Sequence, residues 1–511
     1  GADLPRILEQ ASGVDIRRYG GLGAFSSLSI RGSTSEQVLV FLDGVPLNQA
    51  VGGGVDLGTL TAGGIESVDV YRGAVPGRFG GNSLGGVVHL RSRPPGGSPR
   101  VHLLTQAGAF GTWQQSASVA GRLHDWDGLA LVDFSHSDNN FRFWDDNGTE
   151  YNPADDEWST RRNSDFSALR VLLRAARHVG TARLQLSHTQ DVSHRGLPGI
   201  GNFQALETRL DTRRGISEAN LFGPFAAGRA GYRMKAYQST ERVEYRDLLG
   251  EVGIGTQHDR NTTRGSGLRA EGNLLLGPTL ATLFAGLRHE RFTPEALLEQ
   301  LPTSGSNRRP GTAAGGEVEF AALSRRLVVN TGLQFERLDD DFALLEDAAA
   351  KQQSHAQTLW SSSLGLSVDL GAGWAAQAHV GRYGRPPGFF ELFGDRGAVM
   401  GNADLLSETG RNIDGGLIFR GIPKPTGLLL VEVVAYDNRV DDLIRFMQNS
   451  QRVSRPHNIG RARMRGLESR AQGILATRLR LEGSYTRQAA TNRSPFSYEN
   501  GNDLPNAPTH R

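Results

Sequence analysis

From Val101 onward the chain divides into segments whose connections alternate between tight and long. The tight ones are 125–128, 178–180, 277–279, 324–325 and 371–373, with 224–227 and 421–426 slightly longer. Between them lie polar stretches at 139–165, 193–215, 241–267, 293–313, 338–357, 384–410 and 438–463. A soluble sandwich has no reason to gather every long connection at one end. A transmembrane barrel does, with short turns on one side of the bilayer and long loops on the other.

The segments themselves carry a two-residue period. Ala182, Leu184 and Leu186 oppose Arg183, Gln185 and Ser187; Leu327, Val329, Leu333 and Phe335 oppose Asn330, Gln334 and Glu336. Strands that alternate in this way average out as hydrophilic, so an apolar content of 38% in 511 residues is compatible with a membrane barrel. No apolar run approaches the ~18 residues that a transmembrane helix needs. The net charge of +2 is dispersed, which leaves no nucleic-acid footprint, and the absence of cysteine excludes zinc ribbons, redox pairs and disulfide scaffolds. The reading gives about seventeen strands, an odd number where bacterial single-chain barrels close with an even one. DLPNAPTH before Arg511 reads as the end of a loop entering another strand, so further C-terminal strands are expected, and a barrel without them should be left with an open edge.

Ahead of the barrel, residues 1–98 form a different unit. After a short helix at 3–11 come strand-like segments bounded by glycine: SLSIRG, VLVFLDGVPLN, IESVDVYRG and GGVVHLRSR. Glycine permits both sharp turns and close approach to a surrounding wall, as a plug inside a lumen requires. The predicted architecture is an all-β antiparallel membrane barrel over 99–511 with an α+β plug over 1–98 in its lumen.

SLSIRG ending at Gly32, VLVFLDGVPLN (38–48), IESVDVYRG (65–73) and RFGGNSLGGVVHLRSR (78–93) resemble, in order and spacing, the plug signature of TonB-dependent outer-membrane transporters. RPPGFFELFGDRGAVMGNADLLSE (385–408) and NIGRARMRGLES (458–469) resemble that family's barrel patterns, and RGLPGIGNF (195–203) looks most like its cobalamin and siderophore branch. The resemblance implies a 22-stranded barrel in the bacterial outer membrane, in contact with its lipid. It implies import of a metal chelate, either a ferric siderophore or cobalamin, and TonB with its inner-membrane energising complex as partner. It implies no enzyme activity and no required cofactor. It places Arg31 and Arg72 of the plug against Asp414 and Glu468 of the wall; position 414 carries aspartate where the family usually has glutamate, which shortens the reach. By the same analogy Asn48 and Gln49 form the floor of a ligand cavity.

Two loops carry chemistry suited to a ligand. Trp144 and Trp158 stand among the acids of 139–165, and aromatic surfaces give contact area at low entropic cost. Arg385, Phe389, Phe390, Phe393 and Arg396 put arginine beside aromatics, which suits an anionic chelate. The acids Asp145, Asp146, Asp155 and Asp156 read first as a solvated loop, with an oxygen-rich Ca2+ site as the alternative. Other readings of the chain are a ligand-sensing receptor on the same fold that transports nothing, an unplugged porin, and a secreted β-rich hydrolase. The plug motifs argue against the porin, and the loop parity against the hydrolase.

Overall fold

The computed structural model describes residues 3–511 except 74, 150, 200, 254, 299–305, 347–348, 394–399, 422–427, 449–453, 476–478, 498 and 505–506; at 227, 343–346, 349–352, 448 and 475 it describes the backbone alone. The N-terminal unit opens with helix α1 (Leu4–Leu8), capped by the Asp3 carboxylate, and a hairpin of β1 (Val14–Arg18) and β2 (Ser26–Ile30). A four-stranded mixed sheet follows in the order β4 (Val45–Pro46), β3 (Val38–Leu42), β6 (Gly86–Ser92), β5 (Ile65–Tyr71). Only β3 and β6 run parallel, and their central residues Val40, Val88 and Leu90 are buried with Leu4, Leu8, Leu28 and Ile30 in one core.

Seventeen strands in consecutive antiparallel pairing then surround this unit as a closed barrel, from Arg100–Ala107 to Leu479–Asn492. The barrel inverts the usual rule for a globular protein. In Phe166–Val179, Leu169 and Leu173 are 40% and 48% exposed, while their neighbours Arg170 and Arg174 are 3% and 6% exposed. Val119, Leu268, Leu283, Leu333, Leu364 and Leu417 repeat the outward apolar placement on other strands. Such a face suits hydrocarbon and not water.

The inward face meets the plug around its circumference. Arg170 donates to the carbonyl of Thr61 at 2.9 Å, Ser361 to that of Gly81 at 2.9 Å, and Asn412 to that of Leu84 at 3.2 Å. In one sector of the wall the charges have a fixed sense: plug carboxylates Asp43 and Asp56 pair with wall residues Arg174 and Arg195.

Two expectations are corrected. The strands run far into the stretches that read as loops: Ala230–Asp247 and Gln257–Leu276 leave only 248–256 between them, where 241–267 was expected. Apolar alternation marks only the part facing lipid, about 9–11 residues per strand. Beyond it the ladder continues with polar residues on both faces. The outer edge of the last strand is also not left open. The barrel closes on its first strand, and over 486–492 the last strand also meets residues near the C-terminus: Arg487 bridges His510, Thr491 bridges Asp503, and the carbonyl of Ala490 accepts from the Leu504 N–H at 2.7 Å.

Candidate functional site

The turn after β2 puts Arg31 (φ 53°) and Gly32 (φ 77°) in the left-handed region, which aims the Arg31 side chain out of the hairpin at the wall. Strand Ser454–Leu475 answers with Glu468. Arg31 grips that carboxylate with two bonds, Nε to Oε1 at 2.9 Å and Nη2 to Oε2 at 3.1 Å, and its guanidinium lies 4.6 Å from the centre of the Tyr436 ring. The remaining nitrogen reaches the carbonyl of Arg72 at 3.2 Å and Asp414 Oδ1 at 3.4 Å. Arg72 donates to Glu468 Oε2 at 2.8 Å, to Glu432 Oε1 at 2.7 Å and to the carbonyl of Ser12 at 3.2 Å. All four residues that the resemblance places together therefore meet in one network. The aspartate at 414 makes the longest of these contacts and is shared with His379 Nδ1 at 3.2 Å; a Cβ on Gly73 would collide with its carboxylate.

Sequence reasoning missed Glu432, Tyr436, His379 and Ser12. Two-residue parity could have found the first two, because Glu432 and Tyr436 share the inward face of Leu429–Gln448. With Arg31 and Glu468 side chains 2% and 1% exposed, the pair is desolvated. Removing one partner of such a pair typically costs about 3–5 kcal/mol, much of it the penalty of leaving the other charge buried.

The second candidate region is the apex of the plug. Asn48, Gln49, Ala50 and Gly52 face Arg288, Glu290 and Arg309 of the wall across a small cavity that Arg385 and Gly388 also line. The Asn48 side chain is occupied inside the plug, accepting from the Val40 N–H at 2.7 Å and donating to the Val38 carbonyl at 2.9 Å. Arg385 is likewise engaged: it holds Glu391 (2.9 and 3.0 Å) and Glu408 (2.8 and 2.9 Å), with all three residues buried. Helix α2 (Phe389–Phe393) docks on the apex through the N–H groups of Phe389 and Phe390, which donate to the carbonyls of Ala50 and Val51 at 2.6 and 3.1 Å. Phe389 is buried under Arg309, 4.9 Å from its ring centre, and stacks on Phe393 at 5.4 Å. Phe390 is 37% exposed beside Phe446. Arg396 lies outside the described residues.

Trp144 and Trp158 do not line this cavity. They sit opposite each other on a separate hairpin, Arg142–Asp145 with Glu157–Thr160, with ring centres 5.6 Å apart and more than half their surface exposed. Nearby carboxylates serve the loop's own turns: Asp145 accepts from the Asn147 N–H at 3.1 Å, Asp146 from the Gly148 N–H at 3.1 Å, and Asp155 from the Thr149 hydroxyl at 2.8 Å. Among the described residues no group of three or more acidic or histidine side chains converges as a metal site, and Asp156 joins none.

These loops are tied to one another. Arg161 donates to the carbonyls of Gly199 and Gly201 at 2.6 and 2.5 Å. Glu251 accepts from the N–H groups of Leu206, Glu207 and Thr208 at 2.8, 2.8 and 3.2 Å and from the Thr208 hydroxyl at 3.1 Å. The Glu207 N–H is the first cause of a Glu251 pKa held below the ordinary carboxylate value; burial opposes it, and the other donors reinforce it.

A family model described as "TonB dependent receptor-like, beta-barrel" matches residues 92–511, and one described as "TonB-dependent Receptor Plug Domain" matches residues 1–87. The chain is 23% identical over 485 residues to the vitamin B12 transporter BtuB of Vibrio vulnificus (strain YJ016), covering 93% of this chain and 71% of that protein. Among solved structures, the copper transporter OprC superposes with a TM-score of 0.81 at 15% identity, covering 99% of this chain and 78% of that one. The FrpB iron transporter of Neisseria meningitidis (F3-3 variant) superposes with a TM-score of 0.76 at 16% identity, covering 98% and 79%. At these identities the likeness to the solved structures is one of fold.

Proposed function

The chain belongs to the TonB-dependent receptor family, and from that premise we propose that it works in the bacterial outer membrane, binding a metal chelate from outside and importing it to the periplasm with energy delivered through TonB. The chelate is a ferric siderophore or cobalamin. The protein is a transporter and not an enzyme. The observation that carries this reading is the plug fastened inside the lumen by the bidentate Arg31–Glu468 pair. A lumen obstructed in this way does not serve passive diffusion, so passage requires work on the plug, and that work is what an inner-membrane partner supplies. The apex cavity and the interlocked outer loops supply a preformed rim for capture.

The test is uptake by cells expressing the full-length protein and lacking other receptors of this kind, fed radiolabelled cobalamin or individual ferric siderophores. The expected result is accumulation of one chelate, abolished when TonB is deleted. Accumulation of none, or accumulation indifferent to TonB, overturns the proposal.

A further inference from the structure

The outward face of the barrel carries a feature that binding and import do not use. On four adjacent strands, Arg382 stands directly opposite Arg411, Arg411 opposite Arg439, and Arg439 opposite Arg463. Arg382, Arg411 and Arg439 are exposed and Arg463 is partly so, each between inward-facing neighbours. Like charges placed directly opposite on a sheet destabilise it. Asp437 relieves the repulsion at one end, pairing with Arg463 and lying 3.5 Å from Arg439. Arg382 and Arg411 pair with no acidic side chain among the described residues, so the other end of the row is uncompensated.

The position of the row is as informative as its charge. One step of the same face nearer the short turns, Val380 stands opposite Ile413, 44% and 56% exposed, at the upper edge of the apolar belt. On these two strands the arginines therefore begin where the belt ends, on the side of the long loops; on the next two the same level carries Asp437 and Arg465, with the exposed Leu467 one step lower. The pattern recurs elsewhere on the barrel: Arg264 opposes Arg291 and Arg291 opposes Arg308, above the exposed pair Leu268 and Leu287. At about 4.8 Å per strand the four-arginine row spans roughly 15 Å.

We infer that this row is a binding site for the phosphates of anionic lipid headgroups in the outer leaflet. Guanidinium matches phosphate through paired, charge-assisted hydrogen bonds. A headgroup anchored by its acyl chains against Val380 and Ile413 brings those phosphates to the level of the row, and the repulsion built into the sheet becomes attraction for them. The inference rests on the outer-membrane placement proposed above.

The experiment compares the full-length protein with R382Q/R411Q/R439Q/R463Q, both folded in a neutral detergent and checked for heat-modifiable gel mobility, which reports the barrel independently of lipid. Doping the micelles with bis-phosphorylated lipid A should raise the thermal midpoint of the parent, while dephosphorylated lipid A and inorganic phosphate at the same concentration should not. The variant should lose at least about tenfold in apparent affinity for lipid A, and in neutral detergent it should be as stable as the parent or more so, because the opposed charges are gone. A variant that responds to lipid A like the parent, or that is less stable than the parent or fails to fold in neutral detergent, overturns the inference. So does a parent stabilised equally by inorganic phosphate. A folded barrel that ignores lipid A would sink this site and leave the import reading to its own uptake test.

Discussion

Glu468 is the residue on which the plug's fastening converges, since both arginines that leave the plug at this wall end on its two oxygens. Replacing it with alanine leaves Arg31 buried with only the single, longer contact to Asp414 for a counter-charge, and the plug–wall contact should weaken by about 3–5 kcal/mol. Denaturant-induced plug release, followed by hydrogen exchange at residues 26–33, measures this. The Arg31→Ala/Glu468→Ala double variant should lose clearly less than the sum of the single changes, since residues in direct contact couple by roughly 0.5–3 kcal/mol; additive losses would mean the two do not act as a pair. Arg31, Arg72 and Glu468 were readable because each sits beside a glycine in a motif that resembles the family's, and Asp414 because that resemblance supplied its place on the wall. Ser12 and His379 sit in no such pattern, and only the folded chain brings them to Arg72 and Asp414.

At the scale of elements, the segment 385–393 shows why identical chemistry reads two ways. Arginine beside phenylalanines suits an anionic ligand, but it equally suits an internal clasp when acids lie within reach, and here Glu391 and Glu408 take most of the Arg385 donors. Arg385→Ala strands two buried carboxylates, so α2 should detach from the apex; rapid proteolysis or fast hydrogen exchange across 386–393 reports it, and unchanged protection would count against the clasp. The outer loops titrate in a defined sense. The folded-state pKa of Glu251 lies below its unfolded value, so its contribution is fully present above the ordinary glutamate range, near 4.3, and is lost as the pH falls below it. The protection of the 206–208 amides, taken against their intrinsic exchange rate at each pH, should therefore hold from neutral pH down to that range and fall only below it. Glu251→Gln should remove the Glu251 contribution to that loss of protection. No sequence signal pointed to Glu251, because its partners are backbone N–H groups of another loop.

For the whole molecule, the period of two revealed the barrel, and the apolar half of that period showed which face meets lipid. Strand length was not legible, because a polar strand outside the bilayer and a polar loop have the same composition. The belt itself makes a graded prediction. Leu173→Arg, well inside it, should cost about 2–4 kcal/mol, whereas Leu123→Arg beside a short turn should cost about 0–1 kcal/mol; the folded fraction on gels after refolding into bilayers compares them, and equal costs would contradict the assigned belt. The contact between Arg72 and Ser12 has a mechanical corollary. Tension applied to the chain ahead of α1 travels only a few residues before it loads Ser12, and Ser12 hangs directly on the guanidinium that shares Glu468. After the Asp3 and Glu9 contacts with Arg18, a tug from that end is thus delivered to the rivet on one side of the lumen, while the oppositely charged fastening at Asp43 and Asp56 lies farther down the line.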